Sequence, residues 1–183
     1  MKTPRSFRSR TAIATACCLV AAFTTARATD PTSAIAVLHP TAGNKTTGTI
    51  RFEPAADGKI HVTGTVEGLT PNAEQAIHVH EFGDCSAPDA TSAGGHYNPE
   101  GHQHGLPVQE MRHAGDLGNL KSDANGVAHL DLTVDHITIN GSQNPIIGRG
   151  VIVHSKLDDG GQPTGNAGGR VACGVIGWAN PGK

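Results

Sequence analysis

The chain has almost no helical signal. Across its 183 residues no long stretch keeps apolar residues at a 3.6-residue period, and 24 glycines and 11 prolines break up the runs there are. An all-helical domain is excluded on that ground. Basic surplus is missing too, with 14 Lys and Arg against 16 Asp and Glu. Nonspecific nucleic-acid binding needs a basic footprint and is excluded with it. The longest mostly apolar run, Thr11 to Thr25, falls short of the about 20 residues that span a bilayer. Cysteine is scarce, at four, and no Cys-x-x-Cys pair occurs. No internal repeat or interdomain linker is visible.

The first 28 residues read differently from the rest. Lys2, Arg5, Arg8 and Arg10 form a positive head, the small-residue run follows, and Ala26-Arg27-Ala28 offers an A-x-A cleavage site. This is the pattern of a secretory signal peptide; a transit peptide would share its many arginines and lack of acids, but the compact run and the well-placed A-x-A site favour the signal peptide. A lipoprotein-type cleavage at Cys17 is disfavoured because no leucine stands three residues before it. Residues 29–183 then form one domain, with no membrane span once the signal is removed. The leader takes five basic residues and no acid, leaving nine basic against 16 acidic residues, a net of −7. Of the cysteines only Cys85 and Cys173 remain, an even pair in an exported chain, and one disulfide is the natural inference. A pair of metal thiolates is the alternative, disfavoured by their wide separation.

Eight short alternating or apolar runs mark strands: Ala34 to Leu38, Thr47 to Phe52, Lys59 to Val66, Ala76 to Phe82, a weak one at Asp116 to Lys121, Val127 to Val134, Arg149 to His154 and Arg170 to Ile176. Asp57-Gly58 and Asn125-Gly126 are turn signals between them. The expectation is an all-β sandwich or barrel. Two connections are long, Gly83 to Gly115 and Ser155 to Gly169, and loops of that length in one domain are functional or disordered.

All 11 histidines fall in the mature part. His78 and His80 are two apart in an expected strand, so their side chains share a face. His113 and Asp116 could chelate through a local turn. His96 and His154 join them, with either His102 or His104. Each pair alone is weak, since surface histidines arise by chance; together they suggest two metals, because imidazole suits copper, zinc, iron and nickel. Spacing alone does not choose between His102 and His104, nor say which residue serves which metal.

Four longer motifs add a resemblance. Gly95-His96-Tyr97-Asn98-Pro99, His113-Ala114-Gly115-Asp116-Leu117-Gly118-Asn119, Ile147-Gly148-Arg149 leading to Val153-His154, and Gly165-Asn166-Ala167-Gly168-Gly169-Arg170-Val171-Ala172-Cys173-Gly174-Val175-Ile176 are similar to copper/zinc superoxide dismutase, in family order over nearly the whole mature chain. The resemblance implies an eight-stranded Greek-key barrel, an architecture grouped with the sandwiches. It implies one copper cation per subunit on His78, His80, His96 and His154. It implies one zinc cation on His96, His104, His113 and Asp116, with His96 bridging. The family spacing selects His104 and leaves His102 a solvated loop residue. Cys85 and Cys173 match the family disulfide, Arg170 and Thr164 the walls of the copper channel, and Asp158 the carboxylate linking ligands of the two metals. His96 and Arg170 are the catalytic residues so implied, superoxide the substrate, and antioxidant defence in the periplasm or outside the cell the role.

The chain also departs from the family. Asp159 to Thr164 is short, where many members have a longer charged loop that guides the substrate; Lys156 or Lys121 would have to supply positive field instead. The segment between Cys85 and His96 is longer than in compact eukaryotic-type members and resembles exported bacterial ones. Family dimers use different faces, so the resemblance allows a homodimer without fixing its face. A copper-handling protein on the same fold would lack part of the zinc site, the bridge or the arginine, all present here. Asn44-Lys45-Thr46 and Asn140-Gly141-Ser142 are sequons too short to carry weight, and Trp178 is expected to be packing.

Overall fold

The computed structural model describes residues 31–181. The expected leader, with Cys17 and Cys18, lies outside them. All eight expected strands form, each end within two residues of the sequence-based bounds: β1 Ala34–Pro40, β2 Thr47–Pro54, β3 Ile60–Glu67, β4 Glu74–His80, β5 Asp116–Lys121, β6 Ala128–Val134, β7 Gly150–His154 and β8 Arg170–Trp178. They pair antiparallel in the order β5-β4-β7-β8-β1-β2-β3-β6. A lone bridge between Ser122 and Ala128 brings the two edge strands together, so the sheet is a nearly closed barrel. The chain makes the meander β1-β2-β3, crosses to β4-β5, returns to β6 beside β3, and crosses again to β7-β8. That path is a Greek key. Asp57 (φ 58) and Gly58 (φ 74) take the left-handed turn their sequence signalled.

Period-two alternation fills the interior. Leu38, Ile50, Phe52, Val62, Ile77, Val79, Val151, Val153 and Ile176 are all buried in one core. The same alternation turns His78 and His80 away from it, on the outer face of β4. Both are nevertheless buried, at 0% and 1% exposure, because loops 81–115 and 155–169 lie over that face. A second, small apolar cluster of Ala90, Ala93, Ile152 and Cys173, with Cys85 against it, seats the first loop on the barrel wall. The Cys85–Cys173 disulfide, with Cα atoms 5.8 Å apart, fixes it there.

Candidate metal centre

The site forms between the outer face of the barrel and its two loops. His78 and His80 come from β4, His154 from the end of β7 where the register shifts, and Asp116 from the start of β5. The loop 81–115 brings His96, His104 and His113. Their ligating atoms fall into two groups, each with every atom within 4.8 Å of the others. One is His78, His80, His96 and His154; the other is His96, His104, His113 and Asp116. His96 belongs to both.

Neighbouring groups fix which nitrogen of each ring is bare. His80 donates Nδ1–H to the Gly94 carbonyl at 3.0 Å, so its Nε2 carries a lone pair. His154 turns Nδ1 toward the Gly168 carbonyl at 3.4 Å, and its Nε2 stands 3.3 Å from His80 Nε2. Asp158 accepts Nε2–H from His78 and from His104, both at 2.8 Å, one on each carboxylate oxygen. That leaves Nδ1 of His78 and Nδ1 of His104 bare, buried and without a hydrogen bond. His104 Nδ1 is 3.0 Å from Asp116 Oδ2 yet makes no hydrogen bond with it. His96 and His113 bring Nδ1 to 3.1 Å and 3.3 Å of Asp116 Oδ1. Buried lone pairs converging on each other without a proton are costly. A cation in each group relieves them, and imidazole with one carboxylate is the donor set of copper and zinc. The residues therefore fit both metals.

Electrostatics agree. Burial holds His80 down to about 2, aided by the neighbouring His96. Burial likewise holds His154 at about 3 and, against the pull of Asp116, His96 at about 4. These rings are neutral at physiological pH and free to ligate. Burial also opposes charge on His104, but the Asp116 and Asp158 carboxylates on either side of the ring outweigh it and raise the ring to about 9. Burial would raise both carboxylates; the imidazoles around them, His104 foremost, hold Asp116 and Asp158 well below the usual range.

Arg170 closes one side. Its guanidinium is tied to the Ala90 and Gly94 carbonyls, the latter at 2.6 Å. Gly94 O thus anchors both Arg170 and His80. Thr164 lies exposed on the short loop.

Several supporting residues had no role assigned to them from the sequence. Gln75 donates to the His154 carbonyl at 2.8 Å. Asn119 pairs with both the N–H (2.8 Å) and the carbonyl (2.9 Å) of Asp158. Gln162 does the same to His104. Gly165, at φ +73, leaves no room for a Cβ, which would stand 2.1 Å from Asp158 Oδ1. His102 is not the solvated residue expected. It is half-buried, its Nδ1 reaches the Arg112 carbonyl at 3.2 Å, and Asn98 clasps its peptide, because the loop needs internal partners there. Trp178, at the end of β8, is 42% exposed rather than packed.

An antiparallel barrel with two adjoining imidazole cages that share one histidine has the architecture of a binuclear metalloenzyme. Residues 46–176 match the family described as copper/zinc superoxide dismutase. An extracellular copper/zinc superoxide dismutase of Brugia pahangi is 44% identical over 158 residues, covering 81% of this chain and 77% of that protein. A copper/zinc superoxide dismutase of Botryotinia fuckeliana is 46% identical, covering 74% of this chain and 92% of that one. The crystal structure of the clock protein EA4 superposes with a TM-score of 0.74 at 47% identity, covering 81% of this chain and 96% of that chain. The chain belongs to the copper/zinc superoxide dismutase family, whose cofactors are copper and zinc and whose substrate is superoxide.

Proposed function

We propose that this chain disproportionates superoxide to oxygen and hydrogen peroxide, with copper on His78, His80, His96 and His154 and zinc on His96, His104, His113 and Asp116. The observation that carries this assignment is the pair of cages meeting at His96. Copper supplies one-electron oxidation and reduction, while zinc, which has no redox chemistry, holds charge in place. Two superoxide anions and two protons give one oxygen and one peroxide. His96 is the residue suited to moving a proton: its Nδ1 faces Asp116, so its Nε2 faces the copper side. Asp158 keeps His78 and His104 in one tautomer each, and such partners fix ring orientation.

Arg170 attracts and positions the anion. Its two carbonyl tethers hold the cation at one place without neutralising it. The mature chain's net charge of −7 repels superoxide, so a local positive field has to draw it in. With the 159–164 stretch so short, Lys156 is the better placed second cation. Its neighbour across the loop is Gly168, whose carbonyl meets His154. Lys121 pairs in register with Glu74, at the end of β5 away from Asp116.

The dismutation assay on metal-loaded protein tests this reading beside Arg170→Ala and His96→Ala. Arg170→Ala keeps both metals and loses roughly 10- to 1000-fold in rate, the range field effects cover. His96→Ala perturbs both sites. Full activity without His96 refutes the bridge; an inactive wild type with full copper and zinc favours copper handling.

We infer a cell-exterior location, the periplasm in a bacterial host. The leader pattern, the disulfide and the long Cys85-to-His96 segment support it, and among the described residues no helix is long and apolar enough to cross a membrane. A homodimer is the assembly we infer from the outer wall of β1 and β8. Val37 (49% exposed) and Val175 (46%) face outward there, and Phe82 (58%) is exposed just beyond β4. Such a patch marks an interaction site.

A further inference from the structure

We propose that Gln162 is a positioning residue for the zinc ligand His104, and that this one side chain ties the two site loops together where the second loop is short. Its amide accepts from the His104 N–H at 3.1 Å and donates to the His104 carbonyl at 2.8 Å. The side chain therefore meets both polar groups of one residue, as a neighbouring strand would. Asn119 makes the same two-point pairing with Asp158. Asp158 in turn holds the His104 ring through Nε2. His104 is thus gripped at the ring by Asp158 and at the backbone by Gln162, two residues of one loop four positions apart.

The loop is built to present that amide. Asp159 accepts from the Gly161 N–H at 2.8 Å and from the Asn166 side chain at 3.1 Å. Asp159 N–H donates to Gly165 O at 3.0 Å and Gly165 N–H to Gly161 O at 2.6 Å. Gly160 (φ 76), Gly165 (φ 73) and Asn166 (φ 52) take the left-handed conformations so tight a path requires. A side chain carried on a braced turn loses little freedom when it pairs, so its hydrogen bonds hold more of their strength. His104 itself has no strand around it: it sits in the loop 81–115, where the next two N–H groups donate to side chains, Gly105 to Asp116 Oδ2 and Leu106 to Gln109 Oε1. Remove Gln162 and the His104 peptide has only water for partners.

The inference rests on the assignment of His104 to zinc. Its test is zinc release from the fully loaded protein into excess chromogenic chelator, comparing wild type with Gln162→Ala and with Gln162→Met, which keeps length and loses both hydrogen bonds. The residue is exposed, so neither change threatens the core. Both variants release zinc faster, on the order of tenfold for two lost hydrogen bonds. Cobalt(II) in the zinc position changes its absorption bands in both, while the copper(II) visible band is unmoved because His80 and His154 are untouched. A Gln162→Met protein that releases zinc at the wild-type rate overturns the clamp alone. A copper band that shifts as much as the cobalt bands overturns it as well, since the effect is then general loosening. A wild type that holds no zinc overturns the zinc assignment, and the clamp with it.

Discussion

Breaking the Cys85–Cys173 link damages two things that can be measured apart. The cysteines are 88 residues apart in sequence. In the chain-entropy account a loop of that length restricts the unfolded chain by about 4.6 kcal/mol at 25 °C. For a domain of this size about 1 kcal/mol moves the melting point by about 2–4 °C. Reduction therefore lowers the midpoint of the metal-free protein by roughly 9–18 °C. Metal-free protein is the right object, because bound metals stabilise the folded state by mass action and mask the difference. The measurement is thermal unfolding with and without a phosphine reductant, repeated on Cys85→Ala/Cys173→Ala, which must ignore the reductant. A drop under about 3 °C refutes the entropic argument, whose size does not depend on native contacts. The second effect is local. The disulfide pins the loop whose Ala90 and Gly94 carbonyls hold Arg170, and whose Gly94 also holds His80. Reduced, metal-loaded protein is expected to lose rate before it loses copper. Full rate after reduction would mean that the small cluster around Ile152 anchors the loop unaided.

Asp158→Asn replaces an anion that receives two imidazole N–H groups with an amide that can accept only one well. Metal affinity is expected to fall about 10- to 100-fold, as for other partners of ligating histidines, and chelator competition reads it; unchanged zinc affinity refutes the link. The stability of the metal-free protein depends on pH in two opposite ways. His80, His96 and His154 are held at about 2, 4 and 3, so unfolding takes up protons below their ordinary 6.5 and stability falls as pH drops from there. His104, raised to about 9, contributes stability that is whole below 6.5 and lost as pH rises through 9. Denaturant midpoints from pH 4 to 9.5 therefore peak near about 6.5, and a midpoint that still climbs to pH 9 contradicts the His104 assignment. Val175→Lys puts a charge in the apolar wall of β1 and β8 and is expected to convert a dimer to monomers by sedimentation; a monomeric wild type refutes that face.

The strands were legible because half-buried β segments alternate, and the barrel keeps one clean apolar face inward. His78 and His80 were legible as a pair for the same reason, since they alternate with the apolar Ile77 and Val79, which enter the core. The alternation gave no sign that loops would bury their outer face. The resemblance selected His104 over His102, and the geometry brings His104 into the cage. It gave no hint that His102 would be bound to the Arg112 carbonyl, because a backbone acceptor has no residue identity to read. Gly94 is the sharper case: its carbonyl anchors His80 and Arg170, yet it looks like any loop glycine. Gln75 and Gln162 were invisible for the same reason, since each acts on a peptide group, and Asn119 stood in a motif without its role being readable.

The proposed metal ligands come from both the barrel wall and a loop, and this divides the work of holding them. The copper side depends on β4 and β7, rigid through their ladders, and on the disulfide-pinned stretch that carries Gly94. The zinc side draws only Asp116 from a strand; His96, His104 and His113 lie in the loop and need outside support. That support comes from the loop 155–169, through Asp158, the turn that carries Gln162, and Gly165 packed over the Asp158–His104 hydrogen bond. Damage to the disulfide should show first in Arg170 and the copper side, and damage to Gln162 first in zinc. Of these three only Asp158 touches ligands of both cages, through His78 and His104, so its loss is the one change among them expected to disturb both spectra together.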